Sequence, residues 1–321
     1  MQTLNMKGTL VPGVGTIVVA PKDPYDQDKV IQITEAEHVI SPEDSEEVKC
    51  QYLIGACYKR MVLSGIVSAV LRPDSVSPQV VVDYEGMPVR IPAREMFVEQ
   101  WPEDERAPKE VMFKLKNMQG ATVEFMVAGA ELDSRTVYGN RRAAMLLRQK
   151  QFFESRRVKE NSRVACRVIG VGGGWLIVES FGVETRISSS EASWEWFSDI
   201  SNLYAVGDVL VARVLDITRD EETGSYQARL SIKQASANPD IKVLSTMQPG
   251  SMYYGVVTGV RDRLYFCRLQ IGANAKTRAF MTKDVPKKDD TVCFLVKDVS
   301  LERGVAYGLI TRIIKHHVRP R

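Results

Sequence analysis

Covalent or metal chemistry needs nucleophiles, bases or ligands at workable spacing, and few residues of this chain qualify. His38, His316 and His317 are its three histidines, and His316-His317 fall in a basic terminal run, KHHVRPR, expected to lack the fixed geometry of a general base or metal ligand. The five cysteines (Cys50, Cys57, Cys166, Cys267 and Cys293) are odd in number, widely spread and never spaced C-x-x-C. Neither a disulfide framework nor a zinc site is indicated. Gly170 to Gly174 holds a glycine run, but it joins two strands instead of opening a helix, and no G-x-x-x-x-G-K-[ST] loop occurs. Asp220, Glu221 and Glu222 share one hairpin loop and read as a solvated turn, whereas a metal-dependent nuclease needs carboxylates converging from several strands. The expectation is a protein without enzymatic activity, cofactor or metal.

What remains is the chemistry of charge and aromatic rings. Residues 139 to 159, GNRRAAMLLRQKQFFESRRVK, set Ala143, Ala144, Leu146, Leu147 and Phe152-Phe153 at roughly helical spacing with Arg141, Arg142, Arg148, Lys150, Arg156, Arg157 and Lys159 between them. This predicts a basic helix, either a linker with one face in water or a phosphate-facing brace. The formal net charge of +3 says little about partners, because only local clustering focuses a field on an acidic ligand.

The surrounding elements are short strands. In residues 203 to 239, a turn at Val206-Gly207-Asp208 leads into Val209, Val211, Val214 and Ile217, a mostly buried strand. After a polar loop, Tyr226 to Ile232 alternates Ala228, Leu230 and Ile232 with Gln227, Arg229 and Ser231, so the two should pair as a hairpin. Upstream, Arg163 to Val168, Trp175 to Ser180 and Val183 to Ile187 add three strands, with Gly172-Gly173-Gly174 turning the first into the second. Five short strands with an irregular segment, 188 to 204, after the third match a small OB barrel.

Residues 161 to 239 also resemble the S1 RNA-binding domain family. The resemblance lies in VGDVLVARVLDI followed by ARLSIKQASANP, and in RISSSE at Arg186 to Glu191, which takes the place of the family's usual His-Ile-Ser. It implies single-stranded RNA, mRNA above all, as partner, held on the second and third strands, where outward aromatics stack on bases and neighbouring Lys and Arg neutralise phosphates. Carried over, Trp175 takes the second aromatic position, Arg186 the histidine position and Arg229 a basic position on the fifth strand, with Arg213 and Lys233 completing the patch. The first aromatic position falls on Gly172, which removes a platform of about 1 to 3 kcal/mol per base; Phe181, at the turn into the third strand, is the candidate replacement.

Two more blocks repeat the pattern, so a tandem array is expected. In the first, Met61 to Leu71, Val80 to Tyr84, Val89 to Ile91, the run VEFMVAGAEL and Thr136 to Tyr138 read as strands, with Tyr84, Arg90 and Arg94 as site equivalents. In the third, Met252 to Val260, Leu264 to Leu269, Thr277 to Met281, Thr291 to Val299 and Ala306 to Ile313 follow the same order, with Tyr265, Phe266 and Arg278 at the site and one of the two aromatics necessarily inward. Before them, strands are expected within 8 to 20 and near Ile31 and Ile33, and a helix from Pro42 to Tyr58 capped by Ser41.

The whole reads as mainly β: an N-terminal extension (1–60), a diverged barrel (61–138), a linker helix (139–160), an S1-like domain (161–245) and a second diverged barrel with a basic tail (246–321). No apolar tract suits a membrane and no signal-peptide order opens the chain, so a cytoplasmic protein is expected. The expected role is RNA binding in translation or RNA handling beside the ribosome, with the divergence pointing to a plasmid, phage or mobile-element relative. The rival expectation is a scaffold of barrels docking on the ribosome, RNA polymerase or a virion assembly without binding RNA.

Overall fold

The computed structural model describes residues 30–33, 39–72, 75, 77–101, 105–131, 136–221 and 223–316. The expected strands within 8 to 20, His38, His317 and most of the basic tail lie outside them. Within them the chain is mainly β, three five-stranded OB-type barrels in tandem with connecting helices.

Barrel 1 comprises β1 (Val62–Leu71), β2 (Gln79–Tyr84), β3 (Met87–Pro92), β4 (Thr122–Glu131) and β5 (Thr136–Asn140), closed in the order β1-β2-β3-β5-β4. The closure is a parallel pairing of Val89 with Val137 and Arg90 with Tyr138, the strand order of an OB barrel. Barrel 3 repeats it with β11 (Met252–Arg261), β12 (Leu264–Leu269), β13 (Ala273–Thr277), β14 (Thr291–Ser300) and β15 (Val305–Lys315), closed by Ala275 with Ala306. Barrel 2, from β6 (Arg163–Gly172), β7 (Trp175–Ser180), β8 (Val183–Ser188), β9 (Val209–Arg219) and β10 (Tyr226–Ser231), is an open sheet in the order β10-β9-β6-β7-β8. Its seam is bridged by a side chain: the Thr185 hydroxyl on β8 donates to the Ala228 carbonyl on β10 at 2.7 Å.

Alternation builds each core. Val80, Val82 and Tyr84 point inward from β2, Val89 and Ile91 from β3, and Leu176 and Val178 from β7. The repeat extends to irregular detail. The first strand of each barrel bulges just after a buried valine (Val67, Val168, Val257). That valine's carbonyl accepts from the N–H of Gly120, Gly207 or Asp289, the left-handed residue of the turn that opens the fourth strand. Asp208 and Asp290 each close this turn by accepting a backbone N–H three residues upstream at 2.8 Å.

Four expectations are corrected. The first helix, α1 (Glu46–Tyr58), is capped by Ser45 and not Ser41, because Asp44 and Ser41 fold into a turn of their own, with the Ser41 N–H donating to the Asp44 carboxylate at 2.7 Å. Helix α2 (Lys109–Asn117) was not anticipated; it follows the acidic loop and buries Val111 and Leu115 against barrel 1. The third strand of barrel 3 is Ala273–Thr277, which leaves Arg278 beyond its end. The basic helix is shorter, α3 (Arg141–Gln149) followed by one π turn (Lys150–Glu154). Two further helical turns, α4 (Ser189–Ala192) and α5 (Asp240–Leu244), flank the chain's passage towards barrel 3. Ile31 pairs in parallel with Val164, so the expected strand signal there becomes a single bridge on the edge of β6.

Barrels 1 and 2 share one apolar cluster: Ile169 and Ile177 of barrel 2 are buried with Leu115, Val123 and Phe125 of barrel 1. Helix α3 locks the pair. Arg141, 0% exposed, donates to Glu184 of β8 at 2.8 Å, to the Met96 carbonyl at 2.6 Å and to Glu179 of β7. Gln149 grips barrel 2 by its backbone, donating to the Gly182 carbonyl and accepting from the Tyr226 N–H.

Candidate nucleic-acid interface

In barrel 2 the second and third strands pair Trp175 with Ser188 and Ile177 with Arg186. Alternation therefore sets Trp175, Ile177, Glu179, Glu184 and Arg186 on the outer face. The lower part of that face is not open: Ile177 is 7% exposed and Glu179 is buried, because barrel 1 covers them. The upper part opens into a cleft of about 680 Å³ between β7–β8 and α2, lined by Lys109, Glu110, Phe113, Lys114, Trp175, Ile177, Glu184, Thr185 and Arg186. The Arg186 guanidinium lies 4.7 Å over the Trp175 ring, close enough for a cation–π contact. On another side Phe113 of α2 meets Trp175 edge-on, with centroids 6.0 Å apart and planes at 62°.

Three cations (Lys109, Lys114, Arg186) face two carboxylates (Glu110, Glu184) in this cleft. Glu184 is already paired, to Arg141 at 2.8 Å and Lys114 at 3.5 Å. A second cleft of about 490 Å³ shares Lys114, Glu184, Thr185 and Arg186 with the first and continues over Thr218, Gln227 and Arg229. The two form one path across β8 to β10. Beneath it, burial pushes the Glu179 carboxyl above its ordinary range, against the downward pull of Arg141. Burial also opposes the charge on Arg141, but Glu179 and Glu184 more than offset it and hold the guanidinium protonated.

No family model matches the chain, and no curated protein matches it. Among solved structures it is similar to a multidomain protein with nucleic acid binding domains from Streptococcus pneumoniae, at 11% identity and a TM-score of 0.19, over 78% of this chain and 73% of that one. It is also similar to Drosophila Unr CSD456, at 13% identity and a TM-score of 0.17, over 80% of this chain and 98% of that one. The fold assignment stands on the strand order of the barrels themselves.

Of the residues expected at the site, Trp175, Arg186 and Arg229 line this continuous path. Phe181 does not. It is 5% exposed, in a left-handed turn conformation, and stacks at 3.9 Å on Phe152 of the π turn, so it belongs to the core of barrel 2 and offers no face to a base. Arg213 donates to the carbonyls of Gln234 and Asn161, and Lys233 donates to Ser190 and lies over Trp194. In barrel 3 Tyr265 is the inward aromatic, packed on Phe280, while Phe266 is met edge-on by Trp196 from barrel 2 at 5.2 Å. The residue opposite Phe266 on β13 is Lys276 and not Arg278. In barrel 1 Arg90 is exposed beside Tyr138, Tyr84 is buried, and Arg94 is folded over Trp101.

Two arginines of α3 turn to carboxylates: Arg148 holds Glu124 of barrel 1 at 2.7 and 2.9 Å, and Arg141 holds Glu184 of barrel 2 at 2.8 Å. The helix braces two barrels, as one of its expected roles had it, but by internal ion pairs. The site residues missed in the sequence are Lys109, Phe113 and Lys114. Their signal was the spacing of Val111, Leu115 and Met118 after Pro108, which marks a helix with Phe113 on its outer side.

Proposed function

We propose that this chain is a non-enzymatic, cytoplasmic RNA-binding protein whose tandem barrels, of S1 type, hold single-stranded RNA across the path from Trp175 to Arg229. The observation that carries this reading is Trp175 at the open end of the β7–β8 face with Arg186 over its ring. A base stacks on such a group whatever its identity, and flanking Lys and Arg side chains take the phosphates. Affinity then comes from stacking and charge without a sequence code, which suits mRNA handling in translation.

A second reading, a scaffold whose barrels dock on a large assembly such as the ribosome, draws support from Phe266. Its place on the second strand of barrel 3 is occupied by Trp196, with Asn274 accepting from the Trp196 N–H at 3.0 Å and donating to the Trp194 carbonyl at 2.7 Å. That barrel spends its corresponding aromatic on protein.

Fluorescence anisotropy of the full chain with a labelled single-stranded RNA of mixed sequence separates the two. RNA binding predicts an affinity that falls with added salt and that Trp175→Ala weakens. Absence of binding at low salt would leave the scaffold reading.

A further inference from the structure

Barrel 2 lacks one aromatic where its second strand begins. Gly172 stands there with φ near +153°, outside the range an aromatic residue adopts without strain. The structure nevertheless places a second ring beside Trp175, and it comes from the neighbouring barrel. Phe113 is on α2, whose Val111 and Leu115 are buried in barrel 1, so the helix is fixed while Phe113 itself is 53% exposed. A large ring left half open between Lys109 and Lys114 sets a stacking surface beside two cations of the cleft, of which Lys114 also reaches Glu184.

We infer that Phe113 supplies, from barrel 1, the stacking platform that barrel 2 lacks, so that single-stranded RNA is held in a composite site built across the two barrels. The inference presupposes that RNA binds the β7–β8 face. Phe113 from α2, and Trp175 with the Arg186 guanidinium from β7–β8, then form a row of planar groups reaching across the cleft, with ring centroids 6.0 Å apart and the guanidinium 4.7 Å from the indole. Bases stack on aromatic and guanidinium planes alike. Such a row exists only while the barrels keep their mutual placement. The contacts that keep it, Lys114 to Glu184 at 3.5 Å and Arg141 to Glu184 and the Met96 carbonyl, lie at the cleft's edge and beneath it. Barrels 1 and 2 thus act as one binding unit.

The test uses the full chain and a fluorescein-labelled single-stranded RNA of mixed sequence, titrated by anisotropy with Phe113→Ala, Phe113→Leu, Phe113→Tyr and Trp175→Ala. Phe113→Ala and Phe113→Leu should each weaken binding by about 5- to 150-fold, the value of one stacked base, and Phe113→Tyr should restore it. The leucine variant keeps apolar bulk without a ring face, which separates stacking from packing. The salt dependence should be unchanged in Phe113→Ala and shallower by roughly one charge in Lys109→Gln. If Trp175→Ala weakens binding but Phe113→Ala and Phe113→Leu bind like the wild type, the composite site is overturned while RNA binding by barrel 2 stands. If the wild type fails to bind at low salt, both fall together.

Discussion

Arg141 and Glu184 meet at 2.8 Å across the boundary between barrels 1 and 2, with the guanidinium wholly removed from solvent. The same group reaches Glu179 and the Met96 carbonyl, so one side chain ties the linker helix, the short helical turn Ala93–Met96 after β3 and both site strands of barrel 2. It sets the geometry of the cleft from below.

Removing it should therefore be costly. Arg141→Ala leaves Glu179 buried without its nearest cation, and breaking a buried pair this way costs about 3 to 5 kcal/mol. Its pH dependence has a definite sign. Burial holds folded Glu179 above the ordinary glutamate value of about 4.3, so the folded state binds the extra proton and stability falls as pH rises from that value. Arg141 draws Glu179 down, and its loss extends the fall to higher pH. Denaturant melts of the two proteins should show a gap that widens as pH rises above the ordinary glutamate value and through the raised range of folded Glu179; a gap independent of pH would contradict this account.

The close approach of α3 to barrel 2 gives a second prediction. A Cβ on Gly182 would stand 2.2 Å from the Met145 carbonyl oxygen, whereas one on Gly129 would meet nothing within 4 Å. Gly182→Ala must push the helix off the β7–β8 turn, at a cost of about 2 kcal/mol or more. Gly129→Ala should change stability by less than about 1 kcal/mol. Equal melting temperatures for the two variants would refute the docking described here.

Much of this architecture is legible in the sequence, and the losses have physical causes. Alternation in Tyr226–Ser231 located that strand of barrel 2 closely, because one face of it must be apolar. It failed at Ala273–Thr277, where the inward residues are small alanines that carry little strand propensity, and the reading slid to the larger residues after them. Trp175 and Arg186 were legible through the resemblance to the S1 family, and the pairing of β7 with β8 brings them together. Phe113 was not: nothing local encodes that α2 of one barrel meets the sheet of the next. The burial of Phe181 is likewise tertiary, set by Phe152 on the linker.

The repeat itself predicts a stabilising change. Gly120, Gly207 and Asp289 hold the same left-handed turn position in the three barrels, with φ of 85°, 96° and 70°. An aspartate tolerates that conformation less well than glycine does, by at most about 1 kcal/mol. Asp289→Gly should raise the melting temperature of barrel 3 slightly, and Gly207→Asp should lower that of barrel 2. A fall on Asp289→Gly would mean that the three turns are not equivalent.

The central claim, that RNA lies in the cleft between α2 and β7–β8, is tested most directly by mapping contacts. Single-stranded RNA carrying photoreactive 4-thiouridine would be crosslinked to the full chain and the modified peptides identified by mass spectrometry. The account predicts adducts within 109–114, 175–177 and 184–186, with those at Trp175 lost under excess unlabelled RNA. Adducts confined to barrel 3, or to segments remote from this cleft, would contradict it.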